Sequence, residues 1–263
     1  MRLQWTALIA LFMMTSLSVH ADDWNKTFPV TGVADIRVDA NDAEINVRAA
    51  DNNQIEAHVT THGWKIGPND VQIIDHQAGD RLELQVRRPS HHFCFGICNE
   101  SVRVELIVPR QSALDLHSGD GNIQVTDVKG NLKLDTDDGN IEAHAVDGKL
   151  NADTRDGTIR ADGRYDAVDL HTGDGNVEIE VRSGSHIGTA WSLRTGDGRL
   201  EIRLPQDFTA DLDAHTGDGH VTIDFPVTVS GSIRENSVRG KINGGGPLLE
   251  LRTGDGDIRV EKL

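Results

Sequence analysis

Seven Asp-Gly pairs recur in this chain, each inside the frame Φ-x-Φ-x-(Ser/Thr)-x-Asp-Gly-x-Φ-x-Φ, where Φ is apolar. They are Asp120-Gly121, Asp138-Gly139, Asp156-Gly157, Asp174-Gly175, Asp197-Gly198, Asp218-Gly219 and Asp255-Gly256. The first three steps are 18 residues each, and the spacing then loosens. A fixed period of this size marks a repeat architecture. Six residues before each Asp stand Leu114, Leu132, Leu150, Val168, Trp191, Leu212 and Leu249; three after stand Ile123, Ile141, Ile159, Val177, Leu200, Val221 and Ile258. Polar residues fill the alternate positions, so each unit reads as two half-buried strands separated by glycine turns.

Asp-Gly between alternating strands also suits an antiparallel meander. A meander, however, gives no reason for a constant coil length or for like residues to recur in register. A parallel β-solenoid with two-strand coils of about 18 residues requires both, its neighbouring strands lying about 4.8 Å apart. The expected fold is therefore all-β, a parallel solenoid preceded by an irregular β region. Two degenerate copies extend the frame: Ile36-x-Val38-x-x-x-Asp42-Ala43-x-Ile45-x-Val47 near the start, and Ile233-x-Glu235-x-Ser237-x-Arg239-Gly240-x-Ile242 near the end.

The first 21 residues have the form of a secretory signal, with Arg2, an apolar stretch from Trp5 to Leu17, and Val19-His20-Ala21 before a cleavage point after Ala21. A lead-in segment follows at 22–32, then an N-terminal β region at 33–109, then regular coils at 110–263; 33–263 reads as one continuous domain. Within the β region, 62–80 reads as a loop with a strand at Val71 to Ile74, and the alternating runs 81–86 and 102–108 read as a hairpin-like excursion around two cysteines. No second apolar run is long enough to cross a membrane. The expected location is periplasmic, extracellular or at the cell surface. A net charge of −16, with no basic stripe, argues against nucleic acid as a partner.

Cys94 and Cys98 lie in His91-His92-Phe93-Cys94-Phe95-Gly96-Ile97-Cys98. In an exported chain a disulfide is the default, with a zinc site or free thiols as the other readings. The repeated aspartates read first as turn residues, because Asp caps nearby N–H groups and Gly tolerates positive φ. The Ser/Thr two positions earlier shares the parity of the buried residues and is expected to satisfy backbone groups at the inner corner. Stacked carboxylates at Asp120, Asp138, Asp156 and Asp174 raise the alternative of bound Ca²⁺. His117, His171 and His215 share a solvent-facing position. Gly244-Gly245-Gly246 lacks the strand-to-helix context of a phosphate loop, and no cofactor motif is present.

The Gly-Asp-Gly-x-Ile repeats, following a Val/Ile-alternating N-terminal part, resemble the bacterial putative-adhesin family of β-strand-repeat domains over about residues 33–260. That resemblance implies an envelope or secreted β-solenoid without catalytic residues to carry over. The leading functional expectation is thus a non-enzymatic binding module whose partner is an envelope protein or a glycan. The alternatives are a polysaccharide-active enzyme with paired carboxylates, its site near Trp191 or within 62–99, and a structural or stress-related scaffold. The C-terminal coil, read as an exposed solenoid end, is expected to support self-association.

Overall fold

The computed structural model describes residues 21–89, 100–229 and 234–263; Cys94, Cys98, Ile233 and residues 1–20 of the expected secretory signal lie outside them. Every alternating apolar run forms a strand, and the described residues contain no helix. The N-terminal part supplies β1 (Ala21–Pro29), β2 (Ala34–Ala40), β3 (Glu44–Ala50), β4 (Gln54–His62), β5 (Gln72–Ala78), β6 (Arg81–Arg87) and β7 (Ser101–Pro109). The regular coils comprise β8 (Ser112–Ser118), β9 (Ile123–Thr126), β10 (Lys129–Thr136), β11 (Ile141–Thr154), β12 (Ile159–Asp174), β13 (Val177–Val181), β14 (Trp191–Asp197) and β15 (Leu200–Leu204). The C-terminal part adds β16 (Ala210–Asp218), β17 (Val221–Ile223), β18 (Val227–Val229), β19 (Ser237–Ile242), β20 (Leu248–Asp255) and β21 (Ile258–Lys262).

Two faces enclose the core, and each Asp-Gly pair marks the corner between them. On the first face Leu114 pairs in parallel with Leu132, Leu132 with Leu150, and Leu150 with Val168. On the second, Ile123, Ile141, Ile159, Val177 and Leu200 form the matching rib. These residues are buried, and each such side chain contributes roughly 1.5–3 kcal/mol by leaving water. The coils are therefore parallel and solenoid-like, and the meander is excluded for them. β11 and β12 are long because each runs through the second corner, serving both faces.

The sheet as a whole is mixed, because antiparallel strands close both ends. β5 pairs antiparallel with β6, and β1 with β4, which in turn pairs antiparallel with β7. At the other end β19 lies antiparallel to both β16 and β18. Three sequence readings change here, and the lead-in segment, open between a short strand and a linker, takes the strand form. It is β1, whose alternation buries Phe28 and half-buries Trp24 against the core. Residues 81–86 and 102–108 do not form a hairpin: β6 stacks on β2 in the first face and β7 on β3 in the second, since each carries one face of a coil. The strand within 62–80 spans Gln72–Ala78, shifted towards β6. Finally, Arg239-Gly240 is not a corner but the middle of β19; a Cβ on Gly240 would lie 2.3 Å from Val227 Cγ1, so the glycine serves close strand packing.

Stacking order departs from chain order at both ends. The coil β2/β3 sits between β6/β7 and β8/β9. The coil β20/β21 sits between β14/β15 and β16/β17. The expectation of an exposed C-terminal coil fails for this reason: both its edges are already paired within the chain.

Candidate binding surface

At the Asp-Gly corners the buried hydroxyl ties one coil to the next. Thr154 donates to the carbonyl of Gly139 at 2.9 Å and accepts from the N–H of Gly157 at 3.2 Å. Thr136, Thr172, Thr195, Thr253 and Thr216 make the same donation to Gly121, Gly157, Gly175, Gly198 and Gly256, at 2.8–3.0 Å. Ser118 donates to Ala43, the degenerate corner of the N-terminal coil. The glycine is required by proximity: a Cβ on Gly157 would stand 1.9 Å from the Gly139 oxygen. A neighbouring column went unnoticed in the sequence although its signal is present. In three of the seven copies residue x of Asp-Gly-x-Φ is an asparagine, Asn122, Asn140 and Asn176, and each side-chain carbonyl accepts a main-chain N–H from the adjacent coil at 2.8 Å.

All seven corner aspartates are exposed. Asp156 is held above the ordinary carboxylate range, first by local desolvation and then by the charge of Asp138, with Asp174 adding to it. Among the described residues, no group of three or more His, Cys, Asp or Glu is placed to hold a metal ion. His117 and His171 lie on the outer surface, and His117 Nδ1 sits 2.6 Å from Asp135. The region around Trp191 offers no cleft-lining indole: Trp191 is fully buried, edge-on to Tyr165 and tilted against Phe208. Burial raises the Tyr165 hydroxyl pKa, so this cluster is core.

The feature that breaks the periodic surface is a cleft of about 650 Å³ on the outer side of the second face, where β1, β4 and β7 extend the coil sheet. Strand register sets its floor as two rungs. One runs Asn25, His58, Glu105, Asn46, Gln124; the other runs Thr27, Glu56, Ile107, Arg48, Thr126. His58 lies 3.4 Å from both Asp23 and Glu105. At the edge, Arg103 bonds Glu44 at 2.8 Å. The amide of Asn46, ahead of this guanidinium, holds the Glu44 carboxyl below its usual range against the opposing effect of burial. Arg48 is exposed and has no such partner among the described residues. Sequence did not point to this cleft, because only β3 and β9 belong to the repeat, while β1, β4 and β7 are brought beside them by pairings the repeat does not encode.

A family model described as Toastrack DUF4097 matches residues 33–261. Among solved structures, a "putative cell adhesion protein" from Clostridium sporogenes is similar at 16% identity and a TM-score of 0.46, covering 93% of this chain and 100% of that one. A "putative adhesin" from Bacteroides fragilis is similar at 10% identity and a TM-score of 0.47, covering 92% and 97%. A "putative lipid binding protein" from Parabacteroides distasonis shows 13% identity and a TM-score of 0.45, covering 91% and 96%. No curated protein matches the chain.

Proposed function

Because the chain belongs to the Toastrack DUF4097 family, we propose that it is an exported, non-enzymatic binding module of the cell envelope or its exterior, and that the cleft on the second face is its contact surface. The observation that carries this reading is the contrast between a surface of repeated, mutually paired charges and a cleft lined by unlike polar side chains; a second cleft, of about 560 Å³ on the first face, is lined mainly by the repeating positions of the regular coils. Such concave, mixed-polarity surfaces are the default place for ligand recognition. The secretory form of the first 21 residues supports an exported location, and no helix among the described residues is long and apolar enough to cross a membrane.

The test is a glycan array and immobilised envelope proteins probed with the chain and with Gln124→Trp, which fills the cleft from an exposed position. Binding by the unmodified chain that the variant loses supports the assignment; equal binding by both places the contact elsewhere. Glu56 and Glu105 also give the polysaccharide-cleaving alternative a concrete form, since glycoside hydrolysis uses two carboxyl groups at one site. New reducing ends released from envelope polysaccharide, and lost in Glu105→Gln, would replace the binding reading with that one.

A further inference from the structure

Five arginines project from the outer side of the second face, and four of them are neutralised locally. Arg103 lies 2.8 Å from Glu44, Arg160 3.2 Å from Glu178, Arg203 3.4 Å from Glu261, and Arg259 3.8 Å from Asp257. The fifth, Arg48, has no carboxylate within ion-pair distance among the described residues; Arg199, at the corner before β15, shares this but lies outside the cleft, whereas Arg48 lines it. Register puts Arg48 between Ile107 and Thr126, in the interior of the cleft floor. An exposed guanidinium left unpaired in so acidic a chain is a site prepared for an anion from outside, and its planar fork suits a carboxylate.

The rest of the lining says which kind of carboxylate. Asn25, Thr27, Gln124 and Thr126 present amides and hydroxyls, groups that exchange hydrogen bonds with sugar hydroxyls. Asn46 gives its amide N–H to Glu44 at 3.0 Å, leaving its carbonyl oxygen to accept. A peptide would find backbone to pair with only at the outer edge of β1, where Asp22, Asp23 and Pro29 discourage strand addition, because β3, β4 and β7 each have strands on both sides. Glu56 and Glu105 stand in the same two rungs and repel any further negative charge. Resting on the cleft as contact surface, we infer that this site takes a saccharide bearing a single carboxylate, a uronic-acid-type residue flanked by neutral sugars, with the carboxylate on Arg48. Highly sulfated or polyuronic chains are disfavoured by the two glutamates.

The experiment titrates the full mature chain with an oligosaccharide carrying one uronate and with its carboxyl-reduced counterpart, following amide shifts by NMR. The uronate form binds, and reduction weakens it by about 10- to 100-fold, the range of a charge-assisted hydrogen-bonded pair. Arg48→Gln produces the same loss for the uronate form and no change for the reduced form, while Arg48→Lys keeps part of the affinity. The Arg48 side chain has no hydrogen bond or ion pair among the described residues, so an unchanged melting temperature certifies the variants. Glu56→Gln with Glu105→Gln improves binding of a diuronate. Equal affinity for uronate and reduced sugars, an uronate titration indifferent to Arg48→Gln, or an acidic peptide binding as well as the uronate would overturn the inference. The first two leave the binding-module reading standing, whereas loss of all binding on the glycan and envelope-protein surfaces removes that reading itself.

Discussion

The Ser/Thr column shows how little side-chain chemistry a stacked corner needs, provided each atom has a partner. Thr154 is buried, and its hydroxyl serves Gly139 and Gly157 together. Thr154→Val keeps shape and volume but strands a buried carbonyl, which costs roughly 1–3 kcal/mol and lowers the melting temperature by several degrees. Thr154→Ser retains the hydroxyl, as Ser118 does naturally, and falls between the two; a valine variant as stable as the parent would remove the hydroxyl from the account. The neighbouring Asp156 acts in the opposite sense. Its carboxyl pKa is higher in the folded chain than in the unfolded one, because desolvation and the charges of Asp138 and Asp174 oppose ionisation. The folded state therefore holds this proton more tightly, so its contribution to stability falls as pH rises from the unfolded value through the folded one. Asp156→Asn should raise the melting temperature at pH 7, and the gain should vanish below about pH 3, where both states are protonated. A gain that persists in acid would point to packing and not to charge.

Among the elements, the coil β20/β21 carries the clearest consequence. In a solenoid stacked in chain order, removing the last coil exposes one new edge and leaves the others nearly intact. Here its removal takes the middle from a three-coil stack, leaving β16/β17 with no partner on that side. Deletion of 248–263 should therefore abolish hydrogen-exchange protection in β16 and β17 as well, while β8 to β13 keep theirs; protection surviving in β16 would contradict the observed order. This stacking also shows where the sequence stopped being informative. The strands and inward positions were legible because the same columns recur in every copy, down to Ala43 standing where other corners have glycine. Order was not, because identical frames let any copy stack on any other. A partial cue existed: Thr-Gly-Asp-Gly occurs only in the corners at Asp174, Asp197, Asp218 and Asp255, and these four are neighbours in space. The glycines ahead of their aspartates lie close together, with a Cβ on Gly254 reaching within 2.7 Å of the Gly196 oxygen. The cue groups them without ranking them. The cleft was illegible for a different reason: its two rungs draw on five strands whose order across the sheet, β1-β4-β7-β3-β9, is not their order in the chain, and Arg48 stands out only once its surroundings can be seen.

For the molecule as a whole, both chain-terminal coils are locked inside the stack, and that reverses the usual expectation for stability along a chain. Termini ordinarily fray first because they have the fewest contacts. In this fold the first strand of the N-terminal coil pairs with residues far along the chain, Ala34 opposite Ser112, and the last coil reaches back so that Leu249 lies opposite Trp191. Such long loops must close before these pairs reward folding, which makes assembly slow; once closed, neither coil opens without separating two neighbours. Among the described residues the free edges belong instead to β5 and the three-residue β18 on the first face and to β1 and the three-residue β17 on the second. β1 carries Asp22, Asp23, Lys26 and Pro29, residues that discourage further strand addition. Native-state hydrogen exchange should accordingly find β5 and β18 opening first, at low free energy, while β2, β3, β20 and β21 exchange with the slowest, globally protected set. If β20 and β21 exchanged before β16, the C-terminal coil would be peripheral in solution, and the interleaved order would not describe the native protein.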